Sequence, residues 1–139
     1  MKASKDTVMA KIEVIDRNLT YLSQVKEDFR AEEAEYERLQ AVKHSLFEIA
    51  EACIDIASHI IAAEGFTRPD TYSEMFVELA ENNLISDSLG KRLSQMARFR
   101  NLLVHHYHEV EKEELVEILD QGLPDVKNYV KDVYSYLSG

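Results

Sequence analysis

A short run in the second half of the chain contains the residue types that phosphate chemistry needs. It reads Arg-Asn-Leu-Leu-Val-His-His-Tyr-His, from Arg100 to His108. Its first seven residues are the end of a segment, residues 89–106, that contains no carboxylate in a chain with 26 Asp and Glu residues. An arginine can bind a phosphate through two parallel hydrogen bonds, and a histidine can exchange protons near neutral pH. The run therefore predicts a site that binds a phosphate and moves protons around it.

Arg100 and His105 are the candidate catalytic pair, and the reaction that suits them is cleavage of RNA without a metal ion. His105 can take a proton or return it as a ribose 2′-OH attacks the adjacent phosphate. Arg100 can stabilise the charge that builds on the phosphate oxygens. Asn101 and Arg98 are expected to help bind the phosphate. Alternatively, Asn101 orients the imidazole of His105. The same residue types also occur together at ordinary helix ends, so the composition of the run leaves both interpretations open.

The spacing of Arg100 and His105 makes one copy of the run an incomplete site. On a straight α-helix the two residues lie about 140° apart around the axis. A shared site needs the long arginine side chain to reach around the helix, a helix end within the run, or a second copy of the chain that supplies the facing half. We favour the second copy, because a bundle of this size often dimerises and a symmetric cleft doubles the positive charge.

The spacing of the apolar residues predicts an all-α, antiparallel helix bundle of about five helices. Apolar residues step by three and four along a first helix from about Lys5 to Val25, and along a longer second helix that ends before Gly65. Gly65 is expected to take the left-handed conformation that often ends a helix. The acidic stretch Glu32 to Glu37 lies between the two helices. It is most simply a solvated helix start, and docking of a basic partner is the alternative.

Two further helices lead to the candidate site. Thr71 to Glu74 has the form of a capping box, which predicts a short helix from there to about Asn82. Ser86 or Asp87 can cap the next helix, which is predicted to carry the run from Arg100 to His108.

The end of the chain predicts one more helical segment. It begins near Glu111, and Gly122 and Pro124 should kink or split it. The sequence contains no internal repeat and no Ser/Gly-rich linker. We therefore expect one domain over residues 1–139.

The charge and the composition exclude several classes of protein. The net charge of -10 and the pI of about 4.9 disfavour a general nucleic-acid binder, because phosphate neutralisation dominates that kind of binding. Any contact with nucleic acid must then be local, where the acids are missing. The single cysteine, Cys53, excludes an intramolecular disulfide and fits a reducing cytosol. No apolar stretch approaches the roughly 20 residues that span a bilayer. We expect a soluble, cytoplasmic protein with no membrane association, in which Cys53 is buried and inert.

Three segments of the sequence resemble a known family. The run from Arg100 to Tyr107 resembles the Arg-x4-His-x-Tyr motif of the HepT-like HEPN ribonucleases, the toxin half of MntA–HepT toxin–antitoxin modules. Residues 52–62 are similar to the second-helix signature of that family, and Tyr72 to Phe76 and Met96 to Tyr107 follow in the expected order. The resemblance covers essentially the whole chain and implies a HEPN-like helical fold.

The resemblance implies a role for each polar residue of the run. Arg100 and His105 would be the catalytic pair of a metal-independent RNA endonuclease, without a cofactor, and Asn101 a supporting group. Such proteins are homodimers whose motifs meet at a composite cleft. Tyr107 matches the tyrosine to which the MntA-like nucleotidyltransferase antitoxin transfers AMP. Arg98 also falls within the wider spacing range of the motif, but the position of Tyr107 favours Arg100 and His105.

Several alternative interpretations remain. His106 and His108 complete a His-His-Tyr-His cluster that suggests zinc, but adjacent histidines such as His105 and His106 project about 100° apart on a helix and no cysteine is near, so a metal site is disfavoured. His59 is expected to be a hydrogen-bonded core or interface histidine, with Asp55 one turn away as its anchor. The chain as a whole could instead be a non-catalytic subunit that binds a nucleotide or a partner in a nucleotidyltransferase complex, or a plain dimeric adaptor.

Overall fold

Two long helices come first in the chain and pack against each other. The computed structural model describes residues 1–31 and 36–139, with α1 at Lys5–Ala31 and α2 at Tyr36–Glu64. The helix α1 continues beyond the predicted end at Val25, because Phe29 is buried and extends the apolar stripe. Its predicted stripe is buried at every position: Val8, Ile12, Ile15, Leu19 and Leu22. The acidic residues 32–35, which suggested a solvated start or a docking segment, lie outside the described residues.

The chain then turns sharply into a pair of shorter helices, α3 (Tyr72–Glu81) and α4 (Asp87–His105). Gly65 ends α2 with a φ of +73°, as predicted. Both predicted caps are present, since the Thr71 hydroxyl accepts from the Glu74 N–H and the Ser86 hydroxyl accepts from the Leu89 N–H. Of the two candidate caps for α4, Ser86 is therefore the correct one. At Gly90 the helices α3 and α4 approach so closely that an added Cβ would lie 3.1 Å from the Phe76 carbonyl oxygen.

The helix α4 ends inside the run that the sequence placed on one helix. His105 is its last residue, His106 is the C-cap, and Tyr107–Glu109 forms a 3₁₀ turn. The prediction that the helix carries the whole run was therefore wrong. His106 leaves the helical conformation, with a φ of -135° and a ψ of 40°, and a tertiary contact holds the turn that follows, since the Tyr107 carbonyl accepts a hydrogen bond from Lys43 of α2.

The last segment is helical but interrupted. The helix α5 (Lys112–Glu117) passes through a π-helical turn (Ile118–Gly122) into α6 (Leu123–Ser138), so the predicted break at Gly122 and Pro124 is present. A proline has no N–H to give to the preceding turn, and the wider turn accommodates that loss. The segments together confirm the predicted all-α bundle of about five helices. In the described part of the chain, no helix is both long and apolar enough to cross a membrane.

Tyr129 of α6 connects three helices in the centre of the core. Its side chain is fully buried, and its ring meets the Phe76 ring edge to face at 5.6 Å between centroids. Its hydroxyl donates to the Cys53 carbonyl at 3.0 Å. Burial raises the pKa of Tyr129 well above its ordinary value, and burial also raises the pKa of the Cys53 thiol. Both groups are therefore neutral in the folded protein, and Cys53 is buried as predicted.

Replacing Tyr129 with Phe should destabilise the fold by about 1 kcal/mol, because the buried hydrogen bond from the Tyr129 hydroxyl to the Cys53 carbonyl is lost. Urea denaturation at pH 7 measures this, and Tyr134→Phe is the matched control because Tyr134 is 41% exposed. The folded-state pKa of Tyr129 is raised, so its contribution is complete below the ordinary tyrosine pKa of about 10 and is lost as the pH rises above it. The variant should lose less stability than the wild type in that alkaline range. Equal stability of Tyr129→Phe and wild type at pH 7 would contradict the role of this hydrogen bond.

Candidate active site at the end of helix α4

Arg100 is held at its position by partners from two helices. It lies five residues before the end of α4, and its side chain is only 17% exposed. Its Nε donates to Oε1 of Glu51 on α2, and its Nη1 donates to Oδ1 of Asn101 at 3.1 Å. A guanidinium has five N–H donors in a fixed plane, so these two bonds fix its orientation and leave other donors for a ligand.

Aromatic rings also enclose the Arg100 guanidinium. Its central carbon lies 5.2 Å from the centroid of the Tyr72 ring and 5.7 Å from the centroid of the Phe47 ring. Arginine is attracted to aromatic faces at these distances, and the contact is strengthened where water is excluded. Tyr72 begins α3 and is 41% exposed, so the guanidinium lies near the surface where α2, α3 and α4 meet.

His105 ends α4 and projects into solvent. It is exposed, and among residues 1–31 and 36–139 no hydrogen bond or ion pair engages its imidazole. Arg98 is also exposed. The amide oxygen of Asn101 binds Arg100, so within one chain Asn101 supports the guanidinium and not the imidazole. The Arg100 guanidinium thus has fixed partners and the His105 imidazole is exposed. No described contact joins the two side chains within one chain.

Tyr107 lies beside the end of α4 on the 3₁₀ turn and is half-buried. Its carbonyl oxygen accepts from Nζ of Lys43 at 2.9 Å, and the same ammonium lies 4.6 Å from the centroid of its ring. The His108 ring meets it edge to face at 5.6 Å. Burial raises the pKa of Tyr107, with a smaller contribution from Tyr36. The phenol therefore keeps its proton at neutral pH.

The other histidines of the run and of α2 have local partners. His106 Nδ1 lies 3.2 Å from the Glu109 carboxylate, across the turn. Where the structure describes the chain, no three His, Cys, Asp or Glu side chains lie close enough together to hold a metal ion. His59 is hydrogen-bonded, as predicted, and accepts from the Ser4 N–H at 2.9 Å. Asp55, which we expect to anchor the packing of this part of α2, pairs through its carboxylate with Lys11 of α1 at 3.0 Å.

Sequence reasoning missed four residues that contact Arg100 or Tyr107, all distant from the run in sequence. Three belong to α2, and one begins α3: Lys43, Phe47, Glu51 and Tyr72. One sequence signal could have indicated Glu51. It is a carboxylate within an otherwise apolar stretch of α2, and such an interruption marks the side of a helix that faces a polar partner or solvent.

Comparison with known proteins places this arrangement in one family. The ribonuclease HepT-like family model matches residues 12–133. The chain is 31% identical over 125 residues to the mRNA nuclease HepT of Shewanella oneidensis (strain MR-1). That alignment covers 90% of this chain and 94% of that protein. It is 26% identical over 134 residues to the tRNA nuclease HepT of Aphanizomenon flos-aquae. That alignment covers 94% of this chain and 89% of that protein.

The fold is also similar to that of a solved family complex. The tri-AMPylated Shewanella oneidensis HEPN toxin in complex with MNT antitoxin superimposes with a TM-score of 0.86 and 30% identity, covering 95% of this chain and 99% of that chain. The family-model match, residues 12–133, includes all of α2 to α5 and most of α6. The sequence resemblance is thereby confirmed, and the chain belongs to the ribonuclease HepT-like family.

Proposed function

We propose that this protein is the endoribonuclease toxin of a toxin–antitoxin module and cleaves RNA without a metal ion. The observation that carries the proposal is that Arg100 is fixed with donors left for a phosphate, while His105 in the same run is exposed and has no described partner. The names of the two nuclease relatives, one acting on mRNA and one on tRNA, support RNA as the substrate.

The proposed reaction is an internal transfer at the phosphodiester. His105 removes the proton of a ribose 2′-OH, and the oxygen attacks the adjacent phosphorus as the bond to the 5′-oxygen of the next nucleotide breaks. The free donors of Arg100 stabilise the added negative charge on the phosphate oxygens. A proton returned by an imidazolium completes the 5′-hydroxyl product, so atoms and charge balance with no cofactor.

A second copy of the chain would complete the cleft. Within one chain Arg100 is directed toward α2, whereas His105 faces solvent. Val104, beside the histidine, is a large apolar residue that is 45% exposed. A two-fold contact across this end of α4 would cover Val104 and bring the two runs together in one cleft. The homodimer is therefore part of the proposal.

Control of the nuclease is proposed to act at Tyr107. The phenol oxygen attacks the α-phosphorus of ATP, the bond from that phosphorus to the bridging oxygen breaks, and pyrophosphate leaves. The phenol proton passes to a base of the nucleotidyltransferase antitoxin. The attached AMP adds negative charge and bulk beside Arg100 and His105, where the RNA phosphate must bind. The AMP-modified relative in complex with its antitoxin supports this assignment.

The decisive experiment is RNA cleavage by purified protein in EDTA. The unmodified protein should degrade RNA, and the same protein carrying AMP should not. Size-exclusion chromatography with light scattering should give a dimer. Intact RNA at every protein concentration, together with binding of a nucleotide or of the antitoxin, would support the alternative of a non-catalytic binding subunit.

Glu51 is expected to act as a positioning residue for Arg100. Replacing Glu51 with Ala should lower kcat for RNA cleavage about 10- to 100-fold, because the guanidinium loses the partner that orients it. Glu51→Gln keeps an acceptor and removes the charge, so kcat should fall less and KM for RNA should also fall. Steady-state kinetics on a fluorogenic RNA measures both. Glu48→Ala is the matched control, since Glu48 pairs with His44 at 2.9 Å on the same helix. A kcat for Glu51→Ala equal to that of Glu48→Ala would contradict the role.

A further inference from the structure

Lys43 is a buried cation that the proposed cleavage reaction does not use. It lies on α2 and is only 2% exposed. Lysine is almost never buried to this extent unless it is paired, because an ammonium loses its hydration in the interior. The contacts that compensate this cost should therefore indicate what the residue does.

Both described contacts of the Lys43 ammonium go to Tyr107. The ammonium donates to the Tyr107 carbonyl at 2.9 Å and lies 4.6 Å from the centroid of the Tyr107 ring. The first contact fixes the backbone at the point where α4 has ended, and the second fixes the plane of the ring. The turn Tyr107–Glu109 has only 3 residues and no side-chain cap at its start. Lys43 is a contact from another helix that holds the phenol, beside the local edge-to-face contact with the His108 ring.

Lys43 lies on a part of α2 that is packed into the core. Its neighbours Val42, Ser45 and Leu46 are buried and Lys43 itself is 2% exposed, so little room is left for the ammonium to change position. A catalytic or acceptor group is most effective when it is held close to its reactive geometry by such a support.

We propose that Lys43 is a positioning residue that orients Tyr107 for AMP transfer. The inference rests on the proposed function in one respect, namely that Tyr107 is the acceptor. As the Tyr107 oxygen bonds to the α-phosphorus of ATP and pyrophosphate leaves, the phenol gives up its proton and negative charge develops on the ring. An ammonium on the ring face stabilises that charge, in addition to holding the ring. Lys43 thus couples the end of α4 to the control of the nuclease.

The test compares Lys43→Met with Val110→Ala. Methionine keeps an unbranched chain of similar length and removes the cation. Val110 is buried directly after the same turn, so its truncation loosens the turn without touching the Lys43–Tyr107 contacts. Each variant is incubated with its MNT-type nucleotidyltransferase and labelled ATP, and kcat and KM for AMP transfer are measured beside thermal unfolding and RNA cleavage.

Lys43→Met should lower kcat for AMP transfer about 10- to 100-fold and leave KM for ATP unchanged. RNA cleavage by the unmodified variant should stay close to that of the wild type, because Lys43 contacts neither Arg100 nor His105 among the described residues. Val110→Ala should lower the unfolding temperature and leave AMP transfer within about threefold of the wild type. If Lys43→Met does not fold, Lys43→Gln serves, since its amide can still donate to the carbonyl and only the ring contact is lost.

Three outcomes would overturn the inference. The first is that the Lys43 variants accept AMP at the wild-type rate. The second is that Val110→Ala loses as much kcat for AMP transfer as Lys43→Met does, and the third is that the wild-type chain accepts no AMP. Absence of RNA cleavage in the wild type, with AMP transfer still dependent on Lys43, would overturn the proposed nuclease and leave the role of Lys43 intact. The two proposals therefore fail separately.

Discussion

Replacing His105 with Ala is expected to abolish RNA cleavage, with a loss of about 10²–10⁴-fold in kcat. The reason is that a single imidazole is proposed to move the proton, and no other group can replace it at that position. Arg100→Ala should lose about 10²–10³-fold, because the transition-state charge loses a fixed donor. Both are measured on a fluorogenic RNA in EDTA, after circular dichroism has shown that the variants are folded.

Matched controls and a mixing experiment sharpen this prediction. His106→Ala removes an adjacent, exposed histidine and should retain activity, and Arg98→Ala should cost much less than Arg100→Ala. If Arg100 of one copy works with His105 of the other, co-refolded Arg100→Ala and His105→Ala chains should recover roughly one quarter of the wild-type activity, since about half of the dimers are mixed and each of these keeps one of its two Arg100–His105 pairs. Activity that survives both single substitutions would refute the assignment.

Replacing Tyr107 with Phe is expected to separate the nuclease from its control. The ring and its contact with the Lys43 ammonium remain, so RNA cleavage should stay within about threefold of the wild type. The acceptor oxygen is gone, so the variant should gain no AMP when it is incubated with the nucleotidyltransferase and ATP. Intact-mass spectrometry measures the modification, and an RNA cleavage assay on the same samples measures the silencing.

Tyr36→Phe is the matched control for Tyr107→Phe. Tyr36 is 72% exposed and lies near enough to Tyr107 to affect its pKa, so it is the neighbouring phenol that could be modified instead. The Tyr36 variant should be modified and silenced like the wild type. AMP on the Tyr107 variant would move the acceptor to another residue.

The sequence by itself determined the helices and the chemistry of the site. The steps of three and four along α1 and α2, the caps at Thr71 and Ser86, and the left-handed Gly65 were all predictable, because each depends on residues within one or two turns of the chain. The motif residues Arg100, His105 and Tyr107 were identified from residue type and spacing, together with the family resemblance. Their roles remain predictions for the experiments above.

Only the tertiary structure decided how those residues are held. The 3₁₀ turn that carries Tyr107 is held by Lys43, which is 64 positions away in the chain. The orientation of Arg100 depends on Glu51, 49 positions away. Local patterns record which face of a helix is apolar, but they do not record which residue of a second helix lies opposite. The packing of α2 against α4 brings these groups together and thereby positions the side chains of Arg100 and Tyr107.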